Sequence, residues 1–107
     1  MSRIEHQKLV RDRIPEIISL SGKTACTRTL TPEEYIAALD AKLSEELAEY
    51  QADKSMEELA DLLEVMMAVA AARGHDFAEL EAIRRDKAAK RGGFRGRIWL
   101  EAVESPD

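Results

Sequence analysis

Three long stretches of the chain repeat apolar residues at the three- and four-residue spacing of an amphipathic helix. The first begins at Pro32 and continues to about Ala52, the second follows Ser55, and the third runs from Asp76 to about Arg91. Each starts next to a threonine, serine or aspartate, the residue types whose side chains cap helix N-termini. The pattern therefore predicts three long helices. The first two also have a glutamate three residues after the cap, which predicts a capping box at each start.

A shorter helix is predicted in the segment KLVRDRIPEIISLSG. Pro15 suits its first position and Gly22 its end. Ile14 is expected outside the helix, because a residue that precedes proline disfavours helical backbone. The segments TACTRTL and RIWLEAV lack a helical period, and both are compatible with a minor two-stranded β element.

The second long helix is apolar around most of its circumference. A helix of this kind is buried on more than one side, which in a chain of 107 residues suggests contact between subunits. The predicted fold class is all-α: a helical bundle of about three long helices plus a short N-terminal helix. We expect one domain spanning residues 1–107, completed by oligomerisation. The apolar positions of the second long helix are Leu59, Leu62, Leu63, Val65, Met66, Met67, Val69 and Ala70.

The charge balance narrows the range of partners. The net charge is -5, whereas nonspecific binding of nucleic acid needs a basic surface. An acidic protein that binds polyphosphate needs a divalent cation between its own negative charges and those of the phosphates. There is one cysteine, so no internal disulfide is possible, and no apolar run is long enough to span a bilayer. The start, MSRIEHQKLVRDR, does not resemble a signal peptide, so we expect a cytoplasmic protein with no membrane partner.

The segment EELAEYQADKSMEELAD carries seven carboxylates across the predicted boundary between the first two long helices. At about 100° per residue, four of them flank the apolar stripes, while Glu45 and Glu57 point towards solvent, as does Glu64 just after the segment. The connector ADKS is short, so the two helices are expected to be antiparallel neighbours, with the flanking acids converging at one end. The four flanking acids are Glu46, Glu49, Glu58 and Asp61.

Converging carboxylates repel one another and lose solvation, so they are stable together only around a cation. Hard oxygen ligands in this number suit Mg²⁺ or Mn²⁺, either as two ions or with some contacts through water. A di-iron bundle would require a Glu-x-x-His pattern, and neither His6 nor His75 provides one. The simpler interpretation is a solvated helix face, with Glu58 acting only as a cap.

Basic residues near both ends of the predicted bundle are candidates for binding phosphate, since arginine forks pair well with phosphate oxygens. Each could instead be an ordinary surface charge, and Arg11 could pair with Asp12. Lys42 lies beside Glu46 on the helical wheel and could either neutralise the acids or reach a phosphate. The candidates are Lys8, Arg11, Arg13, Lys42, Lys90, Arg91, Arg95 and Arg97.

Three motifs together resemble a known family. The pattern Glu45-Glu46-x-x-Glu49 followed by Glu58-x-x-Asp61 resembles the signature of the all-α nucleoside triphosphate pyrophosphohydrolases, the MazG-like group. The segments KLVRDRIPEII and KRGGFRGRIWL resemble a branch of that group described as phosphoribosyl-ATP pyrophosphohydrolase-like. Only eight residues separate the two acidic motifs, fewer than in many MazG-like proteins. The resemblance therefore indicates the superfamily more firmly than any substrate.

The resemblance implies a Mg²⁺-dependent enzyme that cleaves a nucleotide between its α- and β-phosphates, releasing a monophosphate and pyrophosphate. It also implies a homo-oligomer, commonly a dimer with helices of both subunits around the sites. By position, Glu46, Glu49, Glu58 and Asp61 match the metal ligands of the family. Catalytic roles fall to Glu45, Glu46 and Glu49, one of which would take a proton from the attacking water. Whether Glu45 also assists the metal stays open.

Two alternatives remain at the level of sequence. The narrower one is hydrolysis of phosphoribosyl-ATP in histidine synthesis. The main interpretation, a pyrophosphohydrolase of broader range, suggests sanitation of the nucleotide pool. The other is a non-catalytic helical module that binds protein or nucleic acid through RRDKAAKRGGFRGR. Binding of that kind would weaken steeply with salt and would not need Mg²⁺.

Overall fold

The computed structural model describes residues 2–106 and contains four helices and no strand within that range. The all-α class is therefore confirmed. The two segments expected to form a β element, residues 24–30 and 97–103, are irregular and do not pair with each other in the described chain. The helices are α1 (Ile14–Leu20), α2 (Pro32–Asp53), α3 (Met56–Ala72) and α4 (Phe77–Arg91).

The capping residues predicted for the long helices are all in place. At the start of α2, the Thr31 hydroxyl accepts from the Glu34 N–H at 3.2 Å, and the Glu34 carboxylate accepts from the Thr31 N–H at 3.0 Å, which confirms the capping box. Asp76 caps α4 by accepting from the Glu79 N–H at 2.8 Å. Each cap satisfies one of the N–H groups that a helix leaves without an internal partner.

Helix α1 begins one residue earlier than expected. Ile14 is its first residue, so Pro15 takes the second position, where its missing N–H costs nothing. The bias of a residue before proline is outweighed by local hydrogen bonds, from the Ile14 N–H to the Arg11 carbonyl at 3.1 Å and from the Ile17 N–H to the Arg13 carbonyl at 3.0 Å.

Helices α2 and α3 form the antiparallel hairpin that the short connector predicted. Only Lys54 and Ser55 separate them. Lys54 has left-handed backbone with φ of 59°, and its N–H donates to the Tyr50 carbonyl at 2.7 Å, which closes the last turn of α2. Ser55 then caps α3 by accepting from the Glu58 N–H at 3.2 Å. This two-residue turn fixes which residues of the two helices face each other.

The remaining helices cover the hairpin sparsely. Helix α4 packs against α3 over a short stretch, while α1 lies apart from the other three helices. An ion pair of 3.1 Å between Arg73 and Asp40 ties the end of α3 back to α2. A groove of about 330 Å³ remains beside α3 and α4, lined chiefly by apolar side chains that include Leu43, Met66 and Ile83.

The chain is extended and buries few of its apolar residues. Its radius of gyration is 19.4 Å, against about 13 Å for a compact chain of similar length. Among the described apolar residues, only Leu39 and Val65 are buried. Positions predicted to face a core, among them Leu59, Leu63 and Met66, are well exposed along α3. The single chain therefore leaves uncovered much of the apolar face that its pattern marks for burial.

Candidate metal centre

A buried carboxylate lies on the inner side of the α2–α3 hairpin. The Glu46 side chain is only 9% exposed, and its Oε1 lies 3.5 Å from the Lys42 Nζ. Its Oε2 is buried and has no hydrogen-bond partner among the described residues. Leaving a carboxylate oxygen dry and unpaired is costly, and a bound cation would remove that cost.

Helix α3 directs a second carboxylate to the same place. The Glu58 N–H donates to Ser55, but the Glu58 carboxylate does not return to the Ser55 N–H as a full capping box requires. Its Oε2 is buried and, within the described chain, also lacks a hydrogen-bond partner. The expected capping box is therefore only half formed, because this side chain turns towards the other acids.

Five carboxylates form two overlapping triads. Glu45, Glu46 and Glu49 make the first, Glu46, Glu58 and Asp61 make the second, and within each triad three oxygens lie within 4.8 Å of one another. Oxygens on opposite sides of a Mg²⁺ ion are about 4.2 Å apart, since each binds at about 2.1 Å. The spacing thus fits one or two hard cations after small movements. We use "acid cluster" for these five residues.

Glu45 belongs to the acid cluster, contrary to the expectation that it points towards solvent. Its side chain is half-buried, and its Oε1 lies 3.4 Å from the Lys42 Nζ. Side chains on a helix lean towards its N-terminus, so Glu45 can lie back over the turn that carries Lys42. A helical wheel places Cα atoms only and does not capture this lean.

The electrostatics of the acid cluster disfavour full ionisation. Burial raises the pKa of Glu46, repulsion from Glu49 raises it further, and Lys42 partly opposes both effects. Burial also raises the pKa of Glu58, followed by repulsion from Asp61, Asp53 and Glu46. Raised values of this kind are typical of carboxylates that share a site with too little positive charge.

Two basic residues touch the acid cluster. Lys42 is 18% exposed and contacts Glu45 and Glu46, a position that fits the neutralising role and leaves it beside the site where a phosphate would bind. The Arg11 Nη2 lies 2.6 Å from the Asp61 Oδ1, and its Nη1 lies 3.7 Å from the Glu64 Oε1. The alternative in which Arg11 pairs with Asp12 is therefore not what the structure shows. The residues Arg11 and Asp61 are far apart in sequence, so no local pattern could have predicted their contact.

The other candidate phosphate ligands do not contact the acid cluster in ion pairs. Arg13 pairs with Glu16 at 3.2 Å, and Lys90 pairs with Asp86 at 3.0 Å, each within one helical turn. These local pairs fit the alternative of ordinary surface charge. The candidates that form no ion pair with any described residue are Lys8, Arg91, Arg95 and Arg97.

Two acidic neighbours were missed by the sequence reasoning. Asp53 is the last residue of α2, and its charge contributes to the raised pKa of Glu58. Its spacing of four residues from Glu49 was an available signal, because such residues share a helix face. Glu64, expected to point away, shares Arg11 with Asp61.

Comparisons with known proteins add little about function. No family model matches the chain, and no solved structure matches it. A protein of Mycolicibacterium smegmatis, described as uncharacterized, is 64% identical over 45 residues. This stretch covers 42% of the chain and 46% of that protein, so the match spans less than half of each. Within the described residues, no helix combines the length and apolarity needed to cross a membrane.

Proposed function

We propose that this chain is a Mg²⁺-dependent nucleotide pyrophosphohydrolase, which hydrolyses a nucleoside triphosphate or a related nucleotide to the monophosphate and pyrophosphate. The observation that carries the proposal is the buried Oε2 of Glu46, which has no hydrogen-bond partner among the described residues and belongs to a side chain that takes part in both carboxylate triads. A solvated helix face would leave this oxygen, and the buried Oε2 of Glu58, in water. The resemblance of the acidic motifs to the all-α pyrophosphohydrolases supports the same function.

The residues that would hold the metal are Glu46, Glu49, Glu58 and Asp61, with Mn²⁺ as a possible substitute for Mg²⁺. All four are carboxylates, as hard cations prefer, and they come from one hairpin of two helices joined by two residues. A bound metal would lower the pKa of the attacking water and would screen the charge of the phosphates.

The chain itself supplies proton transfer and further positive charge. Water attacks a phosphorus of the substrate, the bond to the bridging oxygen breaks, and pyrophosphate leaves with that electron pair. One of Glu45, Glu46 and Glu49 accepts the proton of the water. The basic residues assigned to the phosphates are Lys8, Arg11, Arg13, Lys42, Lys90, Arg91 and Arg97, of which Lys8, Arg91 and Arg97 are exposed and unpaired among the described residues.

A screen for pyrophosphate release tests the proposal. The protein is incubated with standard, deoxy and modified nucleoside triphosphates and with phosphoribosyl-ATP, with and without Mg²⁺. We expect release from at least one nucleotide, and only with the metal. Turnover of phosphoribosyl-ATP alone would assign the narrower activity in histidine synthesis, whereas turnover of modified triphosphates would favour nucleotide sanitation.

Variants of the acid cluster sharpen this test. Glu49→Ala and Asp61→Ala are expected to abolish turnover and to leave the helical circular dichroism signal intact. Glu57→Gln is the matched control, because Glu57 is an exposed acid of the same helix as Asp61 and lies outside the cluster. Normal turnover in both alanine variants would rule out the proposed site.

The non-catalytic alternative rests on a separate surface. Residues 84–97 contain seven basic residues and one acidic residue, and the side chains of Phe94 within this segment and Trp99 just after it are 98% and 85% exposed. A basic segment with free aromatic rings suits single-stranded nucleic acid. This alternative predicts binding that weakens steeply with salt and is indifferent to Mg²⁺.

We further propose that the protein is a cytoplasmic homo-oligomer, a dimer or higher. The exposed apolar side chains of α3 and the extended shape of the single chain support assembly. The single cysteine, Cys26, is in keeping with a reducing compartment.

A further inference from the structure

Arg11 is placed differently from the other basic residues of the N-terminal segment. It lies in the irregular stretch before α1, and α1 itself lies apart from the other helices. Among residues 2–22, Arg11 alone makes side-chain hydrogen bonds or ion pairs with the α2–α3 hairpin. This one guanidinium therefore ties the N-terminal segment to the acid cluster.

The contact that Arg11 makes uses a carboxylate that the proposed metal would also need. Asp61 gives one oxygen to Arg11 at 2.6 Å and also belongs to the triad with Glu46 and Glu58. Arg11 neutralises only the outer side of this triad, because the buried oxygens of Glu46 and Glu58 stay without partners among the described residues. A guanidinium and a divalent cation thus compete for the same acid.

The contact is suited to exchange. The Arg11 side chain is 56% exposed and the Asp61 side chain is 41% exposed, so water and salt screen their attraction. Such exposed pairs change an equilibrium by a factor of about two to five at most. A cation bound by several carboxylates would displace Arg11 easily. A freed arginine at the edge of a metal site is well placed for phosphate, which it binds through two parallel hydrogen bonds.

We propose that Arg11 is an exchangeable clamp, which holds Asp61 in the metal-free protein, yields it when a divalent cation binds, and then pairs with a phosphate group of the substrate. This inference rests on the proposed function, because it assumes a metal at the acid cluster. It assigns one residue two opposite effects: Arg11 weakens binding of the metal and strengthens binding of the phosphate.

Two binding measurements on the full chain test this pair of effects. Free Mn²⁺ is titrated by electron paramagnetic resonance, and inorganic pyrophosphate is titrated by calorimetry in the presence of Mg²⁺. For Arg11→Ala we expect Mn²⁺ affinity to rise about two- to fivefold. We expect pyrophosphate affinity to fall by about tenfold or more, as loss of hydrogen bonds to a charged group predicts.

Two further variants make the test specific. Arg3→Ala removes an equal charge from the same N-terminal segment, where Arg3 pairs only with Glu5 among the described residues, and is expected to shift both affinities less than twofold. Arg11→Lys keeps the charge but loses the planar fork, so Mn²⁺ affinity should stay near that of the parent while pyrophosphate binds more weakly. Circular dichroism confirms that the helices are retained.

The outcomes separate this inference from the proposed function. If the parent binds Mn²⁺ and Arg11→Ala binds it equally or more weakly, the clamp is overturned and the metal site stands. Unchanged pyrophosphate affinity in Arg11→Ala overturns the phosphate role. If neither the parent nor the variant binds Mn²⁺, the proposed metal site fails, and the clamp fails with it.

Discussion

Glu46 is the residue on which both stability and the proposed activity depend. A carboxylate buried to this degree, with Glu49 beside it and one lysine within reach, lowers the stability of the metal-free protein. The same features prepare it to bind a cation, because the cost of removing its charge from water has already been met on folding. Function and stability are therefore opposed at this position.

Glu46→Gln tests that opposition. Removing the charge relieves repulsion within the acid cluster, so we expect the metal-free variant to be more stable than the parent by about 1 kcal/mol, or roughly 4–8 °C in Tm. Saturating Mg²⁺ at 100 times its Kd should stabilise the parent by about 2.7 kcal/mol and the variant hardly at all. Thermal unfolding with and without Mg²⁺ measures both. Glu57→Gln, the exposed control, should behave like the parent, and a less stable Glu46→Gln with normal Mg²⁺ stabilisation would contradict the assignment.

A second carboxylate, Glu34, has a pKa shifted in the opposite direction from that of Glu46. Arg28 contacts it through two nitrogens at 3.1 and 3.2 Å, and the Thr31 N–H also donates to it, so the pKa of Glu34 is lowered to about 2. A lowered pKa stabilises the folded state when the group is ionised. This contribution is complete above the unfolded pKa of about 4.3 and is lost as pH falls through about 2.

Glu34→Gln should therefore be less stable than the parent at neutral pH, with a difference that shrinks as pH falls from about 4.3 towards 2. Unfolding midpoints of both proteins at pH 7, 5, 4, 3 and 2.5 would show this trend. Glu33→Gln alters the adjacent exposed acid, which forms no ion pair with any described residue, and should differ little from the parent throughout. A stability difference between Glu34→Gln and the parent that grows as pH falls would contradict this prediction.

Much of the acid cluster could be predicted residue by residue, because helical periodicity determines which face a side chain occupies. Glu46, Glu58 and Asp61 came together as their register indicated, and the exposed Glu49 lies with Glu46 in the other triad. Arg11 could not be placed, since its partner lies in another helix and no periodic pattern links the irregular segment to α3. Glu45 was misplaced because side-chain length and lean, which a helical wheel omits, bring it to Lys42.

At the scale of the element, the turn between α2 and α3 determines the geometry of the candidate site. Its two residues, Lys54 and Ser55, set which turn of α2 faces the first turn of α3. Because Glu58 and Asp61 lie in the first two turns of α3, any fraying there would loosen the acid cluster. The cap at Ser55 thus stabilises the helix and also positions two candidate ligands.

Ser55→Ala is expected to destabilise the protein by about 1 kcal/mol, the usual cost of losing an N-cap. Fraying of the first turn should also lower Mn²⁺ affinity, because Glu58 moves more freely. Urea unfolding and Mn²⁺ titration measure the two effects. Ser55→Thr keeps a capping hydroxyl and should restore most of both. A destabilisation of about 1 kcal/mol with unchanged Mn²⁺ affinity would show that the cap does not position Glu58.

Helix boundaries followed the local signals closely, whereas the expected β element did not form among the described residues. The threonine, serine and aspartate caps fixed the starts of α2, α3 and α4. The segment RIWLEAV carries an alternating pattern, yet it forms no strand, because a strand needs a partner edge and the described chain offers none to residues 97–103. Alternation of apolar and polar residues shows that a segment is suited to a β-sheet. The segment forms a strand only where a second strand is present to pair with it.

At the scale of the whole molecule, the extended shape has a direct consequence for assembly. A chain of this length with two buried apolar residues in its described part has a small core of its own. Apolar residues that the helical pattern marks for burial are exposed in a continuous row along α3, which is the arrangement that a second copy would cover. Burial of this row is the physical argument for the oligomer that we propose.

Met66→Glu tests this interface. Met66 is 40% exposed on the apolar side of α3, and in a symmetric dimer a charge placed there appears twice in the same contact. We expect the parent to sediment as a dimer or higher oligomer and the variant to shift towards monomer. Gln51→Glu adds the same charge at an exposed polar position of α2 and should leave the mass unchanged. A parent that sediments as a monomer at all concentrations would exclude the oligomer.

The same variant separates assembly from metal binding. All five members of the acid cluster come from one α2–α3 hairpin, so no second chain is needed to bring these carboxylates together. We therefore expect a monomeric Met66→Glu protein that remains helical to bind Mn²⁺ within about threefold of the parent, since its substitution lies more than one turn beyond Asp61. Retained Mn²⁺ binding with lost pyrophosphate release would place substrate contacts, rather than metal ligands, on the second chain. Loss of Mn²⁺ binding in a folded monomer would mean that one hairpin does not suffice to hold the acid cluster in its binding geometry.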